Sequence, residues 1–460
     1  AAGLTCSTCE TAARGGSGIE IELTKVPQRA PNMTPYEIML SESQERMLII
    51  VKKGRENEVQ QIFDKWDLPW AEIGFVTDTG QMVVKNHGET VVDLPASKLA
   101  DDAPVYRRES KEPAYLAEVR KFTLDSVEDT TDPEADLKAL LASSNIASKN
   151  WVYRQYDHMV RNGTVVNPGS DAAVVRIKDD SLPVLPENSP KRGKPVLEKY
   201  IAMTADCNAA YVYLDPLEGA KITVAEAARN LACSGAVPVG STDNLNFGNP
   251  HNPELFYQLE QSIIGMSEAC RVFDAPVTGG NVSLYNQNPN GPIDPTPTIA
   301  MVGVIEKKEH ITTQWFKEDG DAILLLGNPV DANDKLSGLG GSAYLQTKKK
   351  LKTGTPPRID LQHEKSLHEF LRSLISEGLI KSAHDCSEGG LAVALSECCM
   401  SRLIARNDFG FMGAQIDLSE FSESRRDALL FGEAQSRIII SVRSDDVEKI
   451  LTKSEAAGMS

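Results

Sequence analysis

The chain has few cysteines, no long apolar run and fewer basic than acidic residues. Eight cysteines in 460 residues are too sparse for a disulfide scaffold, so we expect reduced thiols and a cytoplasmic protein. No stretch approaches the ~20 apolar residues of a membrane span, and no secretion signal is visible, so we expect no membrane association. The formal charge of −17 argues against a nucleic-acid partner, which would need a basic surface.

The remaining composition is that of a globular protein with more than one domain. Apolar residues make up 41% of the chain and charged residues 25%, as in ordinary soluble proteins. The length predicts about three domains at roughly 150 residues each. The first residue is not methionine and the sequence opens inside a helical pattern, so we expect a part of a longer protein.

Residues 278–285, with the sequence TGGNVSLY, carry the first functional hypothesis. Two glycines between apolar and alternating residues predict a strand, a tight bend and a second strand. Asn281 and Ser283 would then share one face of the second strand. An amide oxygen suits Mg²⁺, and a hydroxyl can bind an anionic or polyol substrate. The alternative is a hairpin in which both side chains only satisfy the turn.

Carboxylates that close predicted strands are candidates for holding Mg²⁺ against nucleotide phosphates. Asp206 ends the strand predicted over 200–206, and Asp243 follows the strand predicted over 237–241. Mg²⁺ in nucleotide sites takes one or two protein oxygens in addition to phosphate oxygens. Asp243 also has three asparagines within the next six residues. The alternative for both carboxylates is a turn-forming role.

Three further segments combine glycine with polar side chains. Asp171 follows Gly-Ser and is either a similar phosphate–metal candidate or a cap. Residues 384–390, HDCSEGG, precede a predicted helix whose N-terminus would favour an anion, but one histidine does not make a catalytic pair. The segment GLGGS at 338–342 is predicted to be a flexible loop.

The last third of the chain repeats the first third. Three pairs of segments match in the same order: 3–10 with 390–397, 21–23 with 416–418, and 40–49 with 430–440. Three matches in order predict a duplicated domain, whose first copy would begin upstream of residue 1.

The first copy contains a short polar set before a predicted strand. A helix beginning at Thr34-Pro35 is predicted to end at Glu42, Ser43 and Gln44, and a strand is predicted over 47–51. The carboxylate, hydroxyl and amide suit ribose hydroxyls or an amide group. The alternative is a solvated helix end. The second copy has Ala434 in place of Ser43, which makes the first copy the better site candidate.

Several long strings identify a family. They are MTPYE at 33–37, SESQER at 41–46, WVYRQYD at 151–157, LNFGNP at 245–250, GGNVSLY at 279–285 and HDCSEGGL at 384–391. The whole chain resembles phosphoribosylformylglycinamidine synthase of the small synthetase type, in the aminoimidazole ribonucleotide synthetase-like superfamily. The resemblance implies an α+β and α/β fold with two duplicated units. Its domains would be a first-repeat C-terminal domain at 1–125, a linker at 126–145, a second-repeat N-terminal domain at 146–307 and its C-terminal domain at 308–460.

The resemblance also implies the chemistry and the roles of residues. The family uses ATP and Mg²⁺ to convert formylglycinamide ribonucleotide to the amidine, with ammonia from a separate glutaminase subunit and with a small bridging subunit. Three roles carry over to seven residues, with Glu42, Ser43, Gln44 and Ser283 binding the ribonucleotide, Asp243 and Gly280 contacting ATP, and Asn281 binding Mg²⁺. Asp385 would be the second-copy counterpart of a metal-binding Asp.

The family's catalytic histidine and most of its ATP-binding side chains would lie upstream, so we expect this chain to be inactive alone. Two other interpretations stay open. One is a non-catalytic nucleotide-binding or scaffold module. The other is a relative that acts on a different phosphorylated or carboxylated substrate, against which the string at Glu42 argues.

Overall fold

The computed structural model describes residues 3–28, 30–42, 46–177, 199–331, 333–400, 402–405 and 408–459. The chain divides into two compact units, Ala1–Arg107 and Arg108–Ser460, which are described separately. Among the described residues, no helix combines the length and apolar character that crossing a bilayer requires.

The first unit is a four-stranded sheet covered by helices. Its elements are α1 Gly3–Arg14, β1 Gly18–Glu22, α2 Pro35–Leu40, α3 Glu56–Lys65, β2 Gly74–Thr77, β3 Gln81–Asn86, β4 Glu89–Pro95 and α4 Ala96–Leu99. The strand order is β2-β1-β3-β4, and only β1 and β3 run parallel. Apolar side chains of β1 and β3, such as Ile21 and Val84, are buried with Cys9 and Ala12 of α1.

Local sequence explains how α2 begins. The Thr34 side chain accepts a hydrogen bond from the Glu37 N–H, and the Glu37 carboxylate accepts one from the Thr34 N–H at 2.7 Å. Pro35 occupies the first helical turn, where its missing N–H is not needed. The helix start predicted at Thr34-Pro35 is confirmed.

The second unit holds the remaining elements. They are α5 Ala114–Val119, α6 Pro133–Leu141, α7 Asn150–Tyr153, β5 Thr164–Val166, β6 Ala173–Ile177, β7 Lys199–Asp206, α8 Ala209–Leu214, α9 Pro216–Cys233, β8 Val237–Asn246, α10 Pro253–Val272, β9 Val277–Ser283, β10 Gln287–Asn288, β11 Gly291–Pro292, β12 Thr296–Ile305, β13 Ala322–Leu326, α11 Leu361–Ser376, β14 Ser382–Asp385, α12 Gly390–Met400, β15 Arg402–Ala405, β16 Asp408–Gly410, α13 Arg426–Phe431, β17 Ile438–Val442 and α14 Val447–Ala457.

A six-stranded sheet positions the candidate site. Its order is β5-β6-β7-β12-β8-β9, and β9 forms one edge beside the parallel strand β8. Along β12 the residues alternate between buried and half-buried, as expected for a sheet with one covered face. Ile299 and Met301 lie on the covered face with Val224 and Ala228 of α9. Small residues let α9 and α10 approach closely, since a Cβ added at Gly265 would lie 2.2 Å from the Leu217 carbonyl oxygen.

This unit also contains a three-stranded sheet. Its order is β13-β17-β14, and all five residues of the central strand β17 are buried. The side chains of Leu371 in α11 and Ile450 in α14 pack with Ile440 of β17. Ala232 and Cys233, at the end of α9, join the same apolar cluster, so the long helix α9 connects the two sheets.

Corresponding glycines show the duplication in three dimensions. Gly3 and Gly390, at the starts of α1 and α12, have left-handed φ values of 77° and 70°. A Cβ added at Gly3 would lie 3.2 Å from the Ser41 carbonyl oxygen, and one added at Gly390 would lie 2.5 Å from that of Gly432. Ser41 and Gly432 are also counterparts in the matched segments. The two copies therefore join their helix to the same loop in the same way.

The strand predicted over residues 47–51 is not formed, and this prediction is wrong. Its counterpart β17 lies between β13 and β14, whereas no described strand lies beside 47–51. The side chains of Met47 and Ile49 are 83% and 50% exposed. A strand needs a partner for its backbone groups, so apolar β-branched sequence alone does not suffice here.

A further prediction of local structure is wrong. The helix predicted over 151–160 is limited to α7, with Trp151 and Tyr156 exposed, because an aromatic pattern without a surface to pack against does not sustain a helix. The segment 338–342 lies in neither a helix nor a strand, as predicted for a loop, but it is packed inside the unit. Leu339 and Ser342 are fully buried. A Cβ added at Gly340 would lie 1.8 Å from the Thr355 carbonyl oxygen, so glycine serves close backbone packing there.

Candidate functional site

Two parallel strands bring together four of the residues predicted for the site. In the pairing of β8 with β9, Asp243 lies beside Gly280, Asn244 beside Asn281, and Asn246 beside Ser283. Ser283 is the last residue of β9. The site is therefore built on the edge of the six-stranded sheet.

The tight bend predicted at the two glycines is absent. Strand β9 runs from Val277 to Ser283 without interruption, and neither Gly279 nor Gly280 has a positive φ. Strand β8 likewise continues to Asn246, so Asp243 lies within a strand and not after one. Both differences have one cause, because β8 and β9 satisfy each other's backbone groups across the stretch that looked like a turn.

Gly280 makes room for the carboxylate of Asp243. A Cβ added at Gly280 would lie 1.9 Å from Asp243 Oδ1 and 3.0 Å from the Asp243 carbonyl oxygen. At Gly279 an added Cβ would meet nothing within 4 Å. The Asp243 carboxylate forms no hydrogen bond with any part of the chain that the structure describes, and burial raises its pKa. A half-buried carboxylate without a partner can accept a hydroxyl, an amine or a cation.

The candidate residues divide between the two faces of the sheet. Asp243 pairs with Ile299 of β12, which is fully buried against the helices. Directly paired residues share a face and successive residues alternate, so Asp243 and Gly280 belong to the helix-covered face. Asn281 and Ser283 belong to the opposite face. The sequence pattern correctly placed these last two together but could not show that Asp243 lies on the other side.

Asn281 and Ser283 lie among other amides. Asn281 Nδ2 donates to Asn244 Oδ1 at 3.3 Å, and Asn246 Nδ2 donates to the same oxygen at 3.2 Å. Ser283 Oγ donates to Asn286 Oδ1 at 3.2 Å. Amide oxygens are hard donors of the kind that Mg²⁺ accepts. The carboxylate of Asp243 lies on the opposite face and does not join this group. The described residues hold no group of three or more His, Cys, Asp or Glu side chains arranged around a metal.

Of the first-copy candidates, the structure describes Glu42. Its exposed side chain follows Ser41, the C-cap residue of α2. Ser43 and Gln44 lie outside the described residues.

In the second copy, the counterpart of Glu42 is Glu433, and its side chain is buried. Glu433 is 1% exposed, and its Oε1 accepts N–H groups of Ala343 and Gly389, each at 2.8 Å. The Tyr211 hydroxyl donates to Glu433 Oε2. Burial raises the pKa of Glu433 to about 7. The chain's own donors thus satisfy this carboxylate, whereas that of Glu42 is exposed.

Asp206 ends β7 as predicted and lies in a buried acidic cluster. Asn230 Nδ2 donates to Asp206 Oδ1 at 2.9 Å. Burial, and then repulsion from Asp385, raise the pKa of Asp206 to about 7, and burial raises the pKa values of Glu226 and Glu388. Asp206 and Asp243 both pair with Ile299 from opposite sides, so one strand separates these two phosphate–metal candidates.

Asp171 and His384, two separate sequence candidates, meet in an ion pair. His384 Nδ1 lies 3.0 Å from Asp171 Oδ1, and the Asp385 N–H donates to the same oxygen at 2.8 Å. Burial alone would lower the pKa of His384, but the Asp171 carboxylate holds it well above its usual value. This contact joins β14 to the loop before β6, so both residues have a structural role.

The sequence analysis did not identify Arg229, whose guanidinium is a buried charge of the second unit. This side chain is fully buried in α9, and it donates to Glu364 at 2.6 Å, Asp385 at 2.7 Å and Gln435 at 2.9 Å. Gln435 is the second-copy counterpart of Gln44. The available signal was a charged residue in a run of alanines and other apolar residues, since a buried charge requires partners.

Comparison with known proteins decides the family. The family model described as "AIR synthase related protein, N-terminal domain" matches residues 169–305, and the model of the C-terminal domain matches residues 1–86 and 318–460. The chain belongs to the AIR synthase related family. A C-terminal domain match on either side of the N-terminal match agrees with the duplication seen in the sequence.

Two relatives of this AIR synthase related protein carry the same name. The chain is 49% identical over 98% of its length to "Phosphoribosylformylglycinamidine synthase subunit PurL" of Caldanaerobacter subterraneus subsp. tengcongensis, of which it covers 57%. It is 46% identical over 100% of its length to the protein of the same name from Moorella thermoacetica, of which it covers 58%. The chain thus spans little more than half the length of these relatives, and the family expected from the motifs is confirmed.

Solved structures confirm the fold. "T. maritima PurL complexed with ATP" matches with a TM-score of 0.59 at 22% identity, over 96% of this chain and 59% of that one. "T. maritima PurL complexed with FGAR" matches with a TM-score of 0.61 at 22% identity, over 96% and 58%. The expected α+β and α/β fold, built from AIR synthase related domains, is therefore confirmed. The domain boundaries at 125, 145 and 307 stay a prediction.

Proposed function

We propose that this AIR synthase related protein supplies part of the synthetase that converts formylglycinamide ribonucleotide to formylglycinamidine ribonucleotide in purine biosynthesis. The observation that carries the proposal is the 49% identity, over 98% of the chain, to a protein named as a subunit of that synthase. ATP would transfer a phosphoryl group to the amide oxygen of the substrate. Ammonia would then form the new C–N bond as the C–O bond to phosphate breaks.

Nucleotide binding is assigned to the edge strand. Asp243 offers a half-buried carboxylate without a hydrogen-bonding partner among the described residues, and Gly280 removes the side chain that would displace it. Because β9 is the last strand of its sheet, a nucleotide lying along that edge would reach both faces. Asn281, on the other face, would hold Mg²⁺, which neutralises phosphate charge during phosphoryl transfer.

Ribonucleotide binding is assigned to Glu42, Ser43, Gln44 and Ser283. A carboxylate and an amide accept hydrogen bonds from ribose hydroxyls, and a serine hydroxyl can donate to a phosphate or carbonyl oxygen. The exposed carboxylate of Glu42 contrasts with the enclosed carboxylate of Glu433, which supports the first copy as the substrate-binding copy.

The same proposal includes two partner subunits and the remainder of the full-length synthetase. Ammonia would come from glutamine through a separate glutaminase subunit, with a small bridging subunit. The chain spans 57% of its relative, so we expect these 460 residues alone to be inactive, in a protein that works in the cytoplasm.

The test is turnover by the protein at its full natural length. ADP release should require the ribonucleotide and ammonium together, with Mg²⁺ present, and the product should be the amidine. A non-catalytic nucleotide-binding module would bind ATP without this turnover. A relative with another substrate would release ADP only with a different phosphorylated or carboxylated compound. Either result would refute the proposal.

A further inference from the structure

Three asparagines of β8 and β9 are linked by hydrogen bonds that begin at a backbone carbonyl. Asn246 Nδ2 donates to the Asn244 backbone carbonyl oxygen at 3.0 Å and to Asn244 Oδ1 at 3.2 Å. Asn281 Nδ2 donates to the same Oδ1 at 3.3 Å. We call these three side chains the asparagine network. The sequence analysis counted Asn244 and Asn246 only as neighbours of Asp243 and gave neither of them a role.

The backbone carbonyl fixes the orientation of all three amides. A side-chain amide accepts hydrogen bonds at one end and donates them at the other, whereas a carbonyl can only accept. The end of Asn246 that faces the Asn244 carbonyl must therefore be its NH₂ group. The atom of Asn244 that contacts this NH₂ group must then be Oδ1. Because Asn281 contacts that same oxygen, it must in turn present its own NH₂ group.

This arrangement leaves the oxygen of Asn281 available. Asn281 Oδ1 accepts no hydrogen bond from any part of the chain that the structure describes. An amide oxygen can bind a cation, whereas an NH₂ group can only donate. The side chains of Asn244 and Asn281 are both exposed, so core packing does not hold either amide in place. The hydrogen bonds of the asparagine network therefore determine which end of Asn281 is available.

We propose that Asn244 and Asn246 are positioning residues that keep Asn281 Oδ1, and not its NH₂ group, available to the Mg²⁺ of a bound nucleotide. An amide that already presents its oxygen needs no reorientation when the cation binds, so the benefit goes to metal affinity. Asn246 acts through Asn244, which it contacts directly. This inference rests on the proposed function, because it assumes that Asn281 is the Mg²⁺ ligand.

Two Asn→Asp substitutions separate orientation from charge. Asn244→Asp keeps an acceptor in the middle of the asparagine network, so the NH₂ groups of Asn246 and Asn281 keep their partner. Asn246→Asp removes the donor at its start. Because a carboxylate cannot donate, Asn244 would turn its NH₂ group toward it, and Asn281 would then turn its oxygen toward Asn244. Each substitution adds one negative charge to the same face, and charge alone would strengthen cation binding in both variants.

The experiment measures Mn²⁺ binding by electron paramagnetic resonance, with Mn²⁺ as the probe because it prefers the same oxygen ligands as Mg²⁺. It uses the protein at its full natural length with a non-hydrolysable ATP analogue, so no turnover is needed. The variants are Asn244→Leu, Asn244→Asp, Asn246→Asp and Asn281→Ala. The charge control is Asn288→Asp, because Asn288 is an exposed asparagine of β10 outside the network, whose Oδ1 accepts the Asn290 N–H at 2.8 Å.

We expect Asn244→Leu and Asn246→Asp each to raise the Kd for Mn²⁺ about 2- to 10-fold, the range for the loss of one hydrogen bond. Asn244→Asp and Asn288→Asp should bind Mn²⁺ at least as tightly as wild type. Thermal unfolding gives the structural baseline. The unfolding temperatures of these four variants should stay close to that of wild type, because the substituted side chains are exposed or half-buried.

An Asn246→Asp variant that binds Mn²⁺ as tightly as wild type, or more tightly, would overturn the inference, because charge and not orientation would then decide the affinity. Wild-type affinity in Asn244→Leu, or weakened binding in Asn244→Asp, would overturn it as well. An unchanged Mn²⁺ affinity in Asn281→Ala would instead refute the assignment of Mg²⁺ to Asn281 in the proposed function, so the two failures are distinguishable.

Discussion

The contact between Gly280 and Asp243 gives the sharpest test of the site. In Gly280→Ala, the new Cβ would lie 1.9 Å from Asp243 Oδ1 and 2.7 Å from its Cγ, so the carboxylate must rotate away. Overpacking in a core costs about 1–3 kcal/mol. Here the cost should be lower, because the displaced group is the end of a side chain at a sheet edge.

The lower backbone freedom of alanine in the unfolded chain changes the free energy of unfolding in the opposite direction. Neither Gly280 nor Gly279 has a positive φ, so alanine fits the backbone at both positions. Replacing a strand glycine by alanine stabilises by roughly 0.5–1 kcal/mol. The two terms nearly cancel, and we expect the free energy of unfolding of Gly280→Ala to stay within about 1 kcal/mol of wild type.

The affinity for ATP should change much more than the stability. A displaced Asp243 carboxylate would no longer accept a hydrogen bond from the nucleotide. A bond to a charged acceptor is worth about 1.5–3 kcal/mol, or roughly a 10- to 150-fold rise in Kd. Isothermal titration calorimetry on the protein at its full natural length measures this Kd. Gly279→Ala is the matched control, because an added Cβ there meets nothing within 4 Å.

Asp243→Asn tests the mechanism of that loss. It should weaken ATP binding by a similar factor, and the double variant with Gly280→Ala should be no weaker than either single variant, because both changes remove one interaction. Equal loss in Gly279→Ala, or additive losses in the double variant, would refute the idea that Gly280 acts through Asp243.

Three further predictions concern other parts of the molecule. Asn281→Ala in the full-length protein should lower turnover and raise the Mg²⁺ concentration needed for half-maximal rate, whereas an unchanged magnesium titration would refute its role as a ligand. Arg229→Met should lower the free energy of unfolding by about 3–5 kcal/mol, because it removes the buried cation that pairs with the carboxylates of Glu364 and Asp385. Urea unfolding measures this. The control is Arg55→Met, which breaks the exposed ion pair between Arg55 and Glu58 and should leave the stability close to that of wild type. Because the folded pKa of Glu433 is raised from 4.5 to about 7, its stabilising contribution is complete below the unfolded pKa and is lost as the pH rises through about 7. Glu433→Gln should therefore show a flatter fall in stability over that window, and a slope equal to wild type would contradict the assignment.

Local signals in the sequence determined much of this protein. The capped start of α2 follows from Thr34, Pro35 and Glu37, because a capping box involves only neighbouring residues. The duplication and the family follow from matched strings such as those around Glu42 and Gly390, which do not depend on how the chain packs. The alternation of Asn281 and Ser283 along one strand face also follows from sequence, because it is a property of any strand.

Only the tertiary structure decided how those parts meet. Whether 277–283 bends or continues depends on the parallel partner β8, and the face on which Asp243 lies depends on its pairing with Ile299 of β12. Residues 47–51 show the converse, since their apolar sequence forms no strand without a strand beside it among the described residues. In each case the deciding interaction joins residues far apart in the chain, and a backbone hydrogen bond or a buried charge cannot be assigned until its partner is known.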